Sequence, residues 1–163
     1  MKVLLKVLFF CILLSSCSCI NKLKTGNTVS GKVIKVIDGD TFDLLTLKDT
    51  IRVRIYGIDA PERGMPYYDV AKKYLNELSY GKNVAIRIED VDSYKRIVAT
   101  VYLGNGENLG LSMINAGLAW HYKYYSNDKE FSTAEKKARR LRKGLWADKD
   151  PIAPWKSRQL KKH

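Results

Sequence analysis

Four acids that fall in two close pairs could bind a cation. The pairs are Asp38 with Asp40, and Asp59 with Glu62. Hard cations such as calcium prefer carboxylate and carbonyl oxygens held on loops, so these acids and the carbonyl of Ala60 form a candidate oxygen-ligand site. Each pair also has a purely structural interpretation. Asp-Gly-Asp is a common turn, and an acid just before a helix is favoured by the helix dipole.

Two arginines near these acids suggest what a cation site would be used for. Arg54 belongs to a predicted strand beside the acidic corners, and Arg96 opens a later strand. Attack on a phosphodiester builds negative charge on the phosphate oxygens, which a cation and bidentate guanidinium groups stabilise. Such a reaction also needs an acid that orients the attacking water, and Glu62 is the candidate for this role. Taken alone, each arginine is more often a solvated residue on a strand than a catalytic one.

Several short strands must position these groups. Ile51, Val53 and Ile55 alternate with polar or aromatic neighbours, the two-residue period of a half-buried strand, so Arg54 is expected to face away from the core. The acidic turn at 38–40 separates predicted strands at 33–37 and 42–47, and further strands are predicted at 84–89 and 97–103.

Three helices complete the predicted order of elements. Val70, Ala71, Tyr74, Leu75 and Leu78 recur at helical spacing before Gly81. A short helix is predicted at 108–117, and the last helix is predicted to open with the capping-box pattern at 132–135 and to end at 144. This order predicts an α+β fold that is mainly β, a five-stranded Greek-key barrel of the OB type with three helices.

The first residues have the features of an export signal. Lys2 and Lys6 precede or flank an apolar run at 7–14, which is too short to span a bilayer and is followed by Ser-Ser-Cys at 15–17. This end resembles a bacterial lipobox, in which Cys17 would carry the lipid. We therefore predict a signal peptide at 1–16, a lipidated tether at 17–27, a folded domain at 28–155 and a basic tail at 156–163. Secretion after cleavage at a nearby site is the alternative.

The cysteine content and the net charge of the chain limit which kinds of site and which binding partners are expected. All three cysteines lie at positions 11, 17 and 19, so the predicted domain contains neither a disulfide nor a cysteine zinc site. The chain has 29 basic and 17 acidic side chains, a net charge of +12, and loss of residues 1–16 with their two lysines would leave +10. A balance this basic favours polyanionic partners, although solubility or attraction to an anionic membrane would also account for it.

Three separated segments are similar to the signature segments of the staphylococcal nuclease (thermonuclease) family, in the same order and at the same spacing. They are Ile37-Asp38-Gly39-Asp40-Thr41, the run from Arg54 to Glu62 and Asp92-Ser93-Tyr94-Lys95-Arg96. The segments at 115–119 and 144–146 also resemble that family, so the similarity extends over roughly residues 29–155.

The resemblance implies a specific assignment of roles. Asp40 and Asp59, with the Ala60 carbonyl, would hold Ca²⁺, and Asp38 would support them. The catalytic residues would be Arg54, Glu62 and Arg96. The implied reaction is calcium-dependent cleavage of DNA and RNA that leaves 3′-phosphate and 5′-hydroxyl ends. Tyr122, Tyr124 and Tyr125 lie where the family places tyrosines near the bound nucleotide, although aromatic residues are as often core packing as stacking surfaces.

Lys95 is the main departure from the family pattern, because a glycine usually precedes the arginine in this motif. The leading hypothesis is an exported calcium-dependent nuclease, monomeric and anchored by a lipid at the cell surface or in the periplasm. One alternative is an OB-fold lipoprotein that binds nucleic acid without cutting it. Another is an anchored lipoprotein that binds oligosaccharides.

Overall fold

A computed structural model describes residues 24–160 of the 163-residue chain. The predicted leader, Cys17 and most of the predicted tether lie outside the described residues. The seven strands are β1 (Thr28–Val36), β2 (Thr41–Leu45), β3 (Thr50–Ile55), β4 (Ile58–Asp59), β5 (Asn83–Val91), β6 (Ile97–Leu103) and β7 (Trp120–His121). The α-helices are α1 (Tyr68–Ser79), α2 (Leu109–Asn115), α3 (Lys129–Arg140) and α4 (Pro154–Leu160), with a 3-10 helix at Gly144–Ala147.

Five of the strands form a closed barrel in the order β1-β2-β3-β6-β5, and β5 pairs with β1 to complete it. All neighbours are antiparallel except β3 and β6, which run parallel. The two remaining strands, β4 and β7, form a separate two-stranded sheet. The predicted fold, a mainly β five-stranded barrel of the OB type, is confirmed.

The barrel interior is filled by the alternating apolar residues of its strands. Phe42, Leu44, Val53 and Ile86 have no exposed surface, and their strand neighbours on the other face are polar or partly exposed. Such alternation puts every second side chain of a strand on the same face, which here is the inner one. Helices α1 and α2 pack apolar residues against the same core, namely Ala71, Leu75, Leu109, Met113 and Ile114.

A second, smaller apolar cluster lies beside the two-stranded sheet. It joins Trp120 of β7 to residues of α3, of the 3-10 helix and of the segment before α4. Trp120 makes edge contacts with Trp146 at 4.3 Å and with Trp155 at 5.5 Å between ring centroids. The guanidinium of Arg139 lies over both Trp120 and Trp146, at 4.6 Å and 3.6 Å. This cluster attaches the C-terminal part of the described chain to the barrel.

The predicted start of the last long helix was wrong. Helix α3 begins at Lys129, because the carboxylate of Asp128 accepts hydrogen bonds from the backbone N–H groups of Glu130 at 2.7 Å and Phe131 at 3.4 Å. That arrangement is a true N-cap, whereas Ser132 lies inside the helix and contacts His121 instead. The predicted end at Gly144 was also wrong, since α3 ends at Arg140.

Two further helix predictions need correction. Val70 shares the helical spacing of the apolar residues predicted for α1, but it is 52% exposed, and the buried residues of the helix are Ala71, Leu75 and Ser79. The chain also has four α-helices in the described range instead of three. The additional one, α4, spans the predicted boundary between the domain and its basic tail at 155–156. Within residues 24–160, no helix is long and apolar enough to cross a membrane.

Candidate active site

One arginine on the outer face of β3 joins the two acidic corners. Arg54 Nη1 lies 2.6 Å from Asp40 Oδ1, and its Nη2 lies 2.8 Å from Asp59 Oδ1. Nη2 also donates to the carbonyl oxygen of Ile58 at 3.2 Å. Arg54 does face away from the barrel interior, but its side chain is only 14% exposed because the acidic segments cover it. The structure thus brings Asp40 and Asp59 together across one guanidinium group.

Asp40 is buried and held on both of its oxygens. Its Oδ2 accepts the backbone N–H of Ala60 at 2.8 Å, and its Oδ1 accepts the hydroxyl of Thr41 at 3.0 Å as well as the Arg54 contact. Burial alone would raise the pKa of this carboxyl group. The charge of Arg54 and the hydrogen bonds from Ala60, Arg54 and Thr41 outweigh it and hold the pKa below its ordinary value.

The turn that carries Asp38 is positioned by close packing. A Cβ on Gly39 would lie 2.7 Å from the Cβ of Ala60 and 2.9 Å from that of Ala71, so only glycine lets α1 approach the turn this closely. Asp38 Oδ1 accepts the backbone N–H of Asp40 at 3.1 Å. Burial, together with the negative charge of Asp40, raises the pKa of Asp38 to about 6.

A second arginine, from the C-terminal helix α4, also contacts these acids. Arg158 of α4 donates from Nη1 to Glu62 Oε1 at 2.6 Å and from Nη2 to Asp59 Oδ2 at 2.9 Å. Asp59 is 2% exposed, and burial together with the charge of Asp40 raises its pKa, although Arg54 and Arg158 counteract part of this effect. Sequence reasoning missed Arg158, and its only signal there was the basic character of the tail.

The charge balance of this corner fits a divalent cation. Four carboxyl groups, those of Asp38, Asp40, Asp59 and Glu62, share it with two guanidinium groups, so two negative charges are uncompensated when all four acids are ionised. Among residues 24–160, no group of three or more His, Cys, Asp or Glu side chains is arranged to hold a metal ion. The predicted donors are two carboxylates and one carbonyl, a set that calcium completes with water.

Arg96 lies near this corner but has its own acidic partner. Its Nε is 2.7 Å from Asp92 Oδ2, and its backbone N–H donates to Asp92 Oδ1 at 2.9 Å. Arg54 pairs with Val98 across the parallel strands β3 and β6, which puts Arg96 two residues away along the neighbouring strand. None of the hydrogen bonds or ion pairs among the described residues joins Arg96 to the acids at 38–62.

The departure at Lys95 has a conformational explanation. Lys95 has a φ of 62°, in the left-handed region that glycine adopts without strain. The lysine therefore adopts a backbone conformation that a glycine would adopt without strain, and Asp92 binds both the backbone and the side chain of Arg96 across this turn. The strain falls on the backbone of Lys95 and leaves the ion pair of Arg96 intact.

Some aromatic residues of the segment 120–125 pack against other parts of the protein, and others are exposed to solvent. His121 is buried, its Nδ1 lies 3.1 Å from the hydroxyl of Ser132, and burial lowers its pKa. Tyr122 stacks on Trp155 of α4, with 5.0 Å between the ring centroids and 4° between the planes. Tyr124 and Tyr125 are 81% and 60% exposed, so their rings are accessible to a ligand.

Comparison with known proteins adds an independent observation. A family model described as "Staphylococcal nuclease homologue" matches residues 52–148, which include Arg54, Glu62 and Arg96 but not Arg158. A Shigella flexneri protein named "Micrococcal nuclease" is 38% identical over 143 residues, covering 82% of each chain. A Haemophilus influenzae protein named "Uncharacterized endonuclease" is 39% identical over 163 residues, covering 99% of this chain and 87% of its own. An Escherichia coli protein of the same name is 35% identical over 127 residues, covering 78% and 83%.

Proposed function

Because the chain belongs to the staphylococcal nuclease family and is therefore a nuclease, we propose that it cleaves DNA and RNA with calcium, leaving 3′-phosphate and 5′-hydroxyl ends. The observation that carries this proposal is the acidic corner, where Asp40 and Asp59 meet across Arg54 and Glu62 lies beside them. Its two uncompensated negative charges favour a divalent cation, and its arginines favour a phosphate.

Asp40, Asp59 and the carbonyl of Ala60 are the residues that would hold the ion. Bound there, calcium would supply a positive charge that polarises the phosphate and neutralises charge developing on its oxygens. The hydrogen bonds of Asp40 to Ala60 and Thr41 keep this carboxylate in one orientation, so little rearrangement is needed when a ligand arrives. Asp38 would stabilise the turn that carries Asp40.

Glu62 and the two family arginines would act on the phosphodiester itself. Glu62 would orient a water molecule and accept its proton as the water oxygen bonds to phosphorus. The bond from phosphorus to the 5′ oxygen breaks, and that oxygen takes up a proton to become the 5′ hydroxyl. Arg54 and Arg96 carry guanidinium groups whose geometry matches phosphate oxygens, and each would stabilise charge that is greatest in the transition state.

The decisive experiment measures cleavage by the purified protein and three variants. Single-stranded DNA and RNA are incubated with calcium or with a chelator, and end-labelled products are resolved to identify their termini. We expect cleavage only with calcium, and rates about 10²- to 10⁴-fold lower in Glu62→Gln and Arg96→Ala. Glu77→Gln, which changes an exposed acid of α1, is the matched control and should retain the wild-type rate. Equal cleavage in chelator would contradict the role of calcium.

We also propose that the protein is exported and anchored through Cys17. This proposal depends on the sequence at 1–19, where two lysines flank an apolar run that ends in Ser-Ser-Cys. Lipidation at this cysteine would hold the nuclease at the cell surface or in the periplasm, and cleavage nearby without lipid would release it instead.

Metabolic labelling with a fatty acid tests the anchor. Wild-type protein should incorporate the label and sediment with membranes, and Cys17→Ala should do neither. Cys19→Ala, two residues away, is the control and should behave as wild type. Labelling that persists in Cys17→Ala would contradict the proposal.

A further inference from the structure

Arg158 contacts three carboxylate oxygens of the site. Two of them, Asp59 Oδ2 and Glu62 Oε1, accept no hydrogen bond from the barrel among the described residues, and the third, Asp59 Oδ1 at 3.4 Å, is shared with Arg54. Both oxygens of Asp40 are bound by groups of the barrel wall and of the β4 segment, and Asp59 Oδ1 is bound by Arg54. Asp59 Oδ2 and Glu62 Oε1 accept hydrogen bonds from Arg158, at 2.9 Å and 2.6 Å. Arg158 therefore binds the Asp59 carboxylate together with Arg54, and it also binds Glu62, which Arg54 does not contact among the described residues.

The two arginines also differ in how firmly they are built into the site. Arg54 is 14% exposed and lies in β3, which pairs with β2 on one side and β6 on the other. Arg158 is 38% exposed and belongs to α4, a helix of seven residues. A helix this short is marginal on its own, so α4 depends on the contacts that dock it. Arg54 is therefore a fixed cation of the site, and Arg158 is a cation that can leave.

The docked helix α4 also covers one of the tyrosines that are predicted to contact the nucleotide. Trp155 stacks face to face on Tyr122, one of the three tyrosines predicted to meet the nucleotide, and makes an edge contact with Trp120 at 5.5 Å. Trp120 is the strand partner of Asp59 in the two-stranded sheet. One short helix thus contacts the acids and one aromatic face of the same site at the same time.

From this arrangement we propose that Arg158 competes with the divalent cation for Asp59 and at the same time occupies the Glu62 carboxylate, which makes α4 a reversible internal inhibitor of the nuclease. The inference rests on the proposed calcium dependence. A guanidinium group and a calcium ion are both cations, each would bind the Asp59 carboxylate, and they repel each other at short distance. Binding of the ion therefore displaces Arg158, and the displaced helix exposes Tyr122.

Calcium affinity is the direct measurement, because it does not depend on catalysis. Isothermal titration of calcium into the metal-free full-length protein is compared with the same titration of Arg158→Gln. We expect the variant to bind calcium about tenfold more tightly, equivalent to about 1.4 kcal/mol. Lys156→Ala removes one positive charge from the exposed face of the same helix and is the matched control, with an affinity close to that of wild type.

A second measurement separates competition from a merely structural ion pair. If Arg158 opposes calcium binding, calcium must also change the difference in unfolding free energy between Arg158→Gln and wild type. Thermodynamic linkage requires this change to equal the free-energy difference between their calcium affinities. The variant should unfold more easily than wild type in chelator and lose this deficit at saturating calcium. An equal deficit in both conditions would mean that Arg158 only stabilises α4, and it would overturn the proposal.

The outcomes also distinguish this inference from the proposed function. If wild type and Arg158→Gln bind calcium with equal affinity, competition is refuted and calcium dependence stands. Weaker binding by Arg158→Gln would refute it as well. If neither protein binds calcium at millimolar concentrations, the proposed calcium dependence fails and the competition proposal fails with it.

Discussion

At the scale of single residues, the site is a chain of alternating charges. Asp40, Arg54, Asp59, Arg158 and Glu62 follow one another, each within hydrogen-bond distance of the next. Burial of such groups is costly unless they are paired, and the pairing here is nearly complete for the two arginines. The acids remain in excess, which is why burial and mutual repulsion raise the pKa of both Asp38 and Asp59.

Replacement of Asp38 by asparagine should stabilise the metal-free protein in a pH-dependent way. The pKa of Asp38 is about 6 in the folded protein and 3.8 ordinarily, so ionisation opposes folding, fully above pH 6 and not below about pH 4. Asparagine keeps the acceptor for the Asp40 N–H and removes the charge. We expect Asp38→Asn to gain about 2 kcal/mol over wild type at pH 8 and almost nothing at pH 4.

Urea unfolding in chelator at pH 4, 6 and 8 measures this difference. Asp148→Asn removes an exposed acid after the 3-10 helix and serves as the control, with a small effect at every pH. A gain of equal size at pH 4 and pH 8 would show that the charge of Asp38 is not the cause.

At the scale of elements, the loop between β5 and β6 shows how a local backbone requirement is met by an unusual residue. Asp92 accepts the backbone N–H groups of Tyr94 and Arg96, each at 2.9 Å, and its second oxygen pairs with the Arg96 side chain. Closing this loop requires a left-handed residue at position 95, where the chain has lysine. The loop between β5 and β6 thus holds the Arg96 side chain in one orientation, and the backbone of Lys95 is strained as a result.

Substitution of Lys95 by glycine should relieve that strain without moving Arg96. We expect Lys95→Gly to raise the free energy of unfolding by about 0.5–1 kcal/mol, because glycine adopts a φ of 62° without a Cβ clash. Cleavage should stay within about twofold of wild type, since Asp92 still holds the arginine. Thermal unfolding and an initial-rate assay measure the two quantities.

Ser93→Gly is the control for the loop, since Ser93 is not among the residues with positive φ and gains nothing from glycine's freedom. It should lower stability slightly. If Lys95→Gly lowered stability as well, the backbone strain at Lys95 would be too small to matter.

At the scale of the whole molecule, the protein combines a local acidic site with a strongly basic surface. The net charge of the chain is +12, although the site itself has an excess of acids. A positive surface attracts a polyanion from a distance, and the acidic corner is the place where we propose that the divalent cation binds. On this proposal the two charge patterns would serve different steps, the basic surface in capture of the nucleic acid and the acidic corner in cleavage of its backbone.

Binding of single-stranded nucleic acid should consequently weaken with salt. With chelator present to prevent cleavage, the logarithm of the association constant should fall linearly with the logarithm of the salt concentration. The expected loss is about tenfold or more between 50 and 200 mM, as release of counterions predicts for a few phosphate contacts. Fluorescence anisotropy with a labelled oligonucleotide measures it, and sucrose at matched osmolality is the control. Affinity that does not change with salt would indicate binding through stacking alone.

Local patterns in the sequence predicted most of the barrel. The two-residue alternation around Ile51, Val53 and Ile55 identified β3 and its inner face, because side chains of a strand alternate between faces whatever the surrounding fold. Helical spacing likewise placed Ala71 and Leu75 in the core. The start of α3 was predicted wrongly because Ser132 and Asp128 both satisfy the preference for a cap, and only the path of the preceding chain selects Asp128.

The residue types of the site and their order along the chain can be predicted from the sequence, since the acids and arginines at 38–96 lie in motifs whose spacing is local. How these groups pair depends on the folded structure. Arg158 is 96 residues from Glu62 along the chain, and no periodicity connects them. Their contact depends on the docking of α4 through Trp155 against Tyr122 and Trp120. Pairing of charges depends on distance in space, and distance is fixed only when the apolar clusters have packed.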